Sequence, residues 1–218
     1  MVDRYLPALD AFQLTKDEQD AVSSALNTTN PWGWKPKGAL SATIAAVKKK
    51  ICDYHLLRHG NKCCYCRINL FGAGPFLTDR EHVLPKSVPS FKPLSYTMWN
   101  LGIACKRCNI EYKRSKTDFV VDRTNATLLV DSANYRFIHP NFDSYREHIS
   151  RLAQEMDEQV LVKYTVAAGS AKGEYTYKYF NLRGLEVNSF DRAQGLASSE
   201  NLGEAALQTR SLADDFGQ

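Results

Sequence analysis

Four cysteines set in two pairs constrain this chain more tightly than any other feature. Cys63 and Cys66 lie in KCCYCRINL, and Cys105 and Cys108 lie in IACKRCN. Two residues between cysteines let one tight turn aim both sulfurs at one ion. Two such knuckles supply the four thiolates of a closed tetrahedral zinc site. The start, MVDRYLPALDAF, carries an early aspartate and no apolar run of signal-peptide length, so we expect a cytoplasmic protein with reduced cysteines. In that setting paired CxxC motifs favour metal over disulfide. Two alternatives stand beside zinc: free buried thiols, and a redox pair, although no thioredoxin-like βαβ pattern surrounds either knuckle. Cys64, between two ligands, is expected to point away from the ion, and Cys52 reads as a core residue of a helix.

A four-sulfur site leaves no position for water or substrate, so such an ion is structural. Any chemistry must come from the 38 residues between Cys66 and Cys105 and from the segment after the second knuckle. The chain of 218 residues is 44% apolar and 24% charged, which excludes disorder as a whole-chain description. A net charge of +4 permits a nucleic-acid partner without requiring one. No stretch approaches the roughly 20 apolar residues that cross a bilayer, so no membrane partner is expected.

The pattern divides the chain into three zones. Residues 1–60 read as helical. Thr15 and Glu18 form a capping-box pattern ahead of Ala21, Val22, Ala25 and Leu26, and NTTNPWGWKPKG breaks that helix. Leu40, Ile44, Val47, Ile51 and Tyr54 then recur at helical spacing up to a stop at Gly60. Lys48, Lys49 and Lys50 read as a solvated face or a nucleic-acid contact. Residues 61–117 hold both knuckles. In residues 118–218, HPNFDSYREHISRL reads as a helix, and QVLVKYTVA and GEYTYKYF read as a hairpin joined by a flexible AGSAKG. The end, from Ser189, reads as a helix and a frayed tail. His55 and His59 are expected to meet a helix dipole, and His139 and His148 to be surface or core histidines.

Between the knuckles lie Asp79-Arg80-Glu81-His82-Val83-Leu84-Pro85-Lys86-Ser87 and Trp99-Asn100-Leu101. Asn109 follows Cys108 directly, with Lys113 and Lys116 beyond. In this order the segment from Cys63 to Lys116 resembles the HNH endonuclease family, of ββα-metal type with a zinc-knuckle pair. The resemblance implies an α+β protein: a helical N-terminal region available for partner docking, a zinc-organised HNH core, and an extension of helix and β-hairpin.

It also implies hydrolysis of DNA phosphodiesters. His82 would be the general base that activates water. Glu81 and Asn109 would be oxygen ligands of one Mg²⁺ or Mn²⁺ that stabilises the leaving group, and Asn100 would brace the loop behind the histidine. Lys106, Arg107, Lys113, Arg114 and Lys116 would crowd positive charge near phosphates. Many family members carry Asp where this chain has Glu81, which leaves Asp79 open as the acidic ligand. Asp79 and Glu81 would share one face of a strand. The C-terminal HPNFDSYREHI is similar to that of HNH nucleases accompanying an ATPase or a reverse transcriptase in bacterial anti-phage systems of the Septu and retron kinds. The competing expectation is a zinc-stabilised nucleic-acid- or protein-binding adaptor without catalysis.

Overall fold

The computed structural model describes residues 3–157 and 159–189. The protein is a mixed α+β structure. Its long helices are α1 (Lys16–Leu26) and α2 (Ala39–Arg58), with a single turn, α3 (Gly74–Leu77), and a late helix, α4 (Ala171–Tyr179). One two-stranded sheet pairs β1 (Thr78–His82) with β2 (Leu101–Cys105). A second sheet runs in the order β3 (Ile149–Met156), β4 (Gln159–Val166), β5 (Val187–Asn188), all antiparallel. No helix among the described residues is long and apolar enough to cross a membrane.

The N-terminal helices form for reasons visible in the sequence. The Thr15 hydroxyl accepts from the Glu18 amide while the Glu18 carboxylate accepts from the Thr15 amide, closing the capping box. Ile44, Val47 and Ile51 of α2 are buried, and Val47 and Ile51 pack with Val22 of α1 against Leu101 of β2. The helical pair therefore covers one face of the small hairpin. Gly60, at φ +61°, lets the chain turn sharply after α2. All three lysines of the basic run have partners: Lys48 reaches the Trp32 carbonyl, Lys49 pairs with Asp53, and Lys50 with Glu18.

The opposite face of the hairpin and the first knuckle share a core with the C-terminal zone. Tyr65 stacks on Phe180 with ring centroids 4.3 Å apart, and Phe119 stacks on Phe137 at 4.2 Å. The Tyr164 hydroxyl of β4 donates to the Cys66 carbonyl at 2.6 Å. Two expectations for this zone fail. HPNFDSYREHISRL is not a helix. The His139 amide donates to Asp143 and the Asp143 amide returns to the His139 carbonyl, closing one turn. The Asp143 carboxylate is then occupied by Ser132 and Lys172, and the chain leaves as β3. The hairpin is β3–β4, paired from Ile149↔Val166 to Met156↔Gln159. GEYTYKYF is mostly α4, not a strand. Ser170 caps that helix by accepting from the Gly173 amide, and Tyr175 stacks on Tyr179 one turn later. Of the helix and tail expected from Ser189, all but Ser189 itself lie outside the described residues.

The N-terminal segment is tied down by an exposed pair, Arg4 with Glu147, and by a buried one. Arg58 is fully buried at its side chain and donates both terminal nitrogens to Asp3, at 2.9 and 3.0 Å. Burial alone would raise the Asp3 pKa. The Arg58 guanidinium and the amides of Tyr5 and Leu9 outweigh it and hold the carboxyl below its ordinary 3.8. Because the folded value is depressed, the stability this carboxylate contributes is present above pH 3.8 and fades as pH falls through the folded value. Asp3→Asn should cost about 2 kcal/mol at pH 7, below the full cost of a stranded buried charge because Asp3 is itself partly exposed. Urea unfolding checks this, and the gap from wild type should shrink below pH 3.8.

Candidate metal and active site

The sulfurs of Cys63, Cys66, Cys105 and Cys108 all lie within 4.8 Å of one another, and all four residues are buried. With Zn–S bonds of about 2.3 Å, a tetrahedron would have edges of about 3.8 Å. Cys66 and Cys105 stand at 3.7 Å. The donor set and its size fit a structural zinc ion. Local backbone geometry builds the cluster. The Arg67 amide donates to the Cys63 carbonyl, and Arg67 takes the left-handed conformation at φ +58° that closes the first knuckle. The Cys105 amide points at the Cys63 sulfur (3.3 Å) and the Cys108 amide at the Cys105 sulfur (3.5 Å). Cys64 stands outside the four-sulfur group, with its sulfur close to Gly102. No cysteine is in a disulfide, and Cys52 is half-buried at the edge of the core.

The cluster anchors the hairpin on which the other candidate residues sit. The Cys64 amide donates to the Ile103 carbonyl at 2.9 Å, joining the first knuckle to β2. Register then pairs Asp79 with Ala104, Glu81 with Gly102 and His82 with Leu101. Alternation on β1 puts Asp79 and Glu81 on one face and Arg80 and His82 on the other. The first face meets the segment Arg107–Lys113, which is wound wide: the Arg114 amide bonds the Asn109 carbonyl five residues back at 2.7 Å. The second face meets Trp32 of the α1–α2 connection.

His82 is 4% exposed. Its Nε2 lies 3.1 Å from the Ser95 carbonyl, which can only accept, so Nε2 carries the proton of the neutral ring. Nδ1 keeps its lone pair and has no hydrogen-bond partner among the described residues. Trp32 meets the ring edge to face, centroids 4.6 Å apart at 85°. Burial pushes the His82 pKa down to about 3, helped by Lys86, Lys113 and Lys48 against the opposing Ser95 contact. The ring is neutral throughout the physiological range. Asn100, fully buried, accepts from the Leu84 amide at 2.7 Å and donates to the Leu84 and Leu94 carbonyls at 3.2 Å. It ties both ends of the loop that carries Ser95.

The two acids are used differently. Both oxygens of Asp79 are occupied, Oδ1 by Lys106 at 2.9 Å and Oδ2 by the Asn109 amide nitrogen at 3.2 Å. That bond fixes Asn109 with its amide nitrogen toward Asp79 and its Oδ1 unbonded. Glu81, 1% exposed, accepts from the Tyr65 hydroxyl at 3.0 Å and pairs with Lys113 at 2.6 Å, both through Oε1. No bond among the described residues reaches Oε2. Burial raises the Glu81 pKa, and Lys113 and Tyr65 oppose that shift. A free carboxylate oxygen and a free amide oxygen are hard donors of the kind that suit Mg²⁺ or Mn²⁺.

Glu81, His82 and Asn109 open on one pocket of about 690 Å³, within the range of ligand-binding clefts. Its other walls include Thr29, Asn30, Arg80, Lys86, Ser87, Lys92, Lys113, Arg114 and Ser115. Five cations thus face one acid.

The basic residues expected from the sequence are placed less uniformly. Lys113 is 1% exposed and holds Glu81 and the His82 carbonyl, so it does not present a surface charge to phosphate. Arg107 is bound to the Phe180 and Asn181 carbonyls and lies over Tyr112, which fixes it to the C-terminal zone. Lys106 is held by Asp79, and Lys116 lies over the Tyr179 ring. Of the five, Lys113 and Arg114 line the pocket. Sequence reasoning assigns no role to Arg80, Lys86, Lys92, Trp32 and Ser95; Arg80 and Lys86 lie inside the motif around His82, but nothing in their spacing marks them as walls of a pocket. His55, His59 and His139 are all buried away from the pocket, and His148 bonds Ser170.

A scan against protein-family models, a search of curated proteins and a search of solved structures each found nothing that matches the chain. The functional reading therefore rests on the chemistry of these residues.

The purified protein should carry about one zinc per chain by plasma mass spectrometry. Cys105→Ser should lose the zinc together with the cooperative thermal transition, because apparent structural-zinc binding energies of about 10–16 kcal/mol exceed typical domain stability.

Proposed function

We propose that the chain is a metal-dependent endonuclease of HNH type, hydrolysing phosphodiester bonds of nucleic acid, DNA in preference to RNA. The observation that supports it most is the state of His82. A buried, neutral imidazole, protonated on Nε2 by its carbonyl contact, offers Nδ1 on the wall of a strongly basic pocket. Such a group is neutral at pH 7 with its lone pair available to take a proton from water, although its depressed pKa makes it a weaker base than an ordinary histidine. The Ser95 carbonyl holds the tautomer and steadies the imidazolium that forms.

Glu81 through Oε2 and Asn109 through Oδ1 would hold one Mg²⁺ or Mn²⁺, which supplies charge neutralisation for the phosphate and the leaving oxygen. Asp79 orients Asn109 rather than serving as ligand, since both its oxygens are occupied. Arg80, Lys86, Lys92 and Arg114 would seat the flanking phosphates. The four-cysteine cluster acts only as the clamp that sets β1 against the Asn109 segment. The setting implied by the C-terminal resemblance is part of the proposal: an effector restrained or targeted by an ATPase or reverse-transcriptase partner in anti-phage defence.

One observation favours a second reading, a zinc-stabilised adaptor without catalysis. The Lys113 ammonium already neutralises Glu81, the acid a metal would need. Cleavage separates the two. Wild-type protein with Mg²⁺ or Mn²⁺ should cut plasmid DNA more readily than tRNA, and His82→Ala should lower the rate by about 10²- to 10⁴-fold with zinc content unchanged. A wild type that cuts nothing, or equal cleavage by the variant, which would mark the activity as a contaminant's, would leave the adaptor standing.

A further inference from the structure

The buried ammonium of Lys113 has three oxygens around it. Glu81 Oε1 and the His82 carbonyl each lie at 2.6 Å, and the Arg114 carbonyl at 3.4 Å. Lys113 is 1% exposed, and the Tyr65 hydroxyl holds the same carboxylate oxygen from the other side. A lysine enters such a place only if the charges compensate, since a buried carboxylate without a cation is strongly unfavourable. The two partners of the ammonium are consecutive residues, the proposed metal ligand and the proposed base. One side chain thus holds both residues, Glu81 by its carboxylate and His82 by its backbone carbonyl, and both line the pocket. The wide winding of Arg107–Lys113 makes this possible, carrying Asn109 to Asp79 while Lys113 comes in beneath the end of β1.

We propose that Lys113 is an internal cation that presets the site and holds its divalent-ion affinity down. It is a positioning residue, and its role rests on the nuclease reading above. In the absence of metal its ammonium stands in for a second cation and keeps the carboxylate in place. When a divalent ion arrives at Oε2, two cations share one carboxylate, so binding is weaker than the donor set alone would give. Removing the lysine charge leaves Glu81 compensated only by the incoming ion. Metal should then bind more tightly, while hydrolysis suffers because the His82 carbonyl has lost its anchor. Mere structural damage would move metal affinity the other way.

The test is calorimetric titration of Mn²⁺ into the zinc-loaded full-length protein, for wild type, Lys113→Met, Lys113→Gln and Glu81→Gln, with plasmid cleavage measured in parallel. Both lysine variants are expected to bind Mn²⁺ about tenfold more tightly than wild type, equivalent to about 1.4 kcal/mol, and to cleave more slowly. Glu81→Gln should lose the binding. Mn²⁺ affinity in both lysine variants that is unchanged within about twofold, or weaker, overturns the proposal. The nuclease reading survives that result if wild type still cleaves and His82→Ala does not. Failure of both lysine variants to fold also overturns it, by assigning Lys113 to stability alone. A wild-type protein that takes up no Mn²⁺ and cuts nothing overturns both the proposal and the reading beneath it.

Discussion

Four sulfurs drawn within 4.8 Å of one another are the constraint on which the remaining structure depends. The β1–β2 hairpin has five residues in each strand and is joined by a long loop without regular strands. A pair that small is marginal in water by itself. It is held because Cys105 ends β2, Cys108 opens the next segment, and the Cys63–Cys66 knuckle bonds back to β2 through Cys64. The metal-ligand geometry therefore substitutes for hydrophobic area at one end of the hairpin. At the other end, α1 and α2 cover Leu101, and Asn100 closes the loop with three hydrogen bonds, two of them buried.

A common logic governs the polar groups on this frame. Each candidate ligand has one side chosen by a partner and one side left over. Asn109 gives its nitrogen to Asp79, which frees its oxygen, and Glu81 gives Oε1 to Tyr65 and Lys113, which frees Oε2. His82 gives Nε2–H to Ser95, which frees Nδ1. Buried polar atoms are costly when unpaired, so their partners decide which atom faces outward. Residues that look secondary, such as Tyr65, Asp79 and Ser95, thereby set the chemistry offered to the pocket.

Local signals are legible where one interaction dominates. The cysteine spacing points to a four-sulfur cluster, and the Thr15–Glu18 box marks the start of α1. The strand around Glu81 is expected only through the family resemblance, and no local pattern marks it. The C-terminal zone misleads because its patterns are short and double-valued. Tyr175, Tyr177 and Tyr179 alternate as in a strand, yet Tyr175 and Tyr179 are also one helical turn apart, and the Ser170 cap decides for helix. HPNFDSYREHI has helical composition, but Asp143 closes onto its own turn and onto Lys172 instead of continuing. The role of Lys113 is hidden for another reason. Spacing shows a lysine near a knuckle, but only the wide winding of Arg107–Lys113 turns it inward. Lys86 and Lys92 reach the pocket through a loop whose path no periodicity describes.

The placement of Trp32 changes what the N-terminal helices are for. A unit serving only as a docking surface for another protein has no need to contact the proposed base. Here the α1–α2 connection contributes Thr29 and Asn30 to the pocket wall and sets Trp32 edge to face on His82. Lys48 of α2 fixes that tryptophan by reaching its carbonyl at 2.6 Å and lying over its ring. The water exclusion that keeps His82 neutral is therefore supplied partly by residues that precede both knuckles in the chain. A unit cut at residue 61 would keep the four cysteines, Glu81 and Asn109 but lose the helical cover over Leu101 and His82. It would expose the imidazole and let its pKa rise toward the ordinary histidine range, because desolvation is the largest cause of the depression. The helical region is thus a wall of the pocket, and anything that displaced α1 and its loop would let the His82 pKa rise.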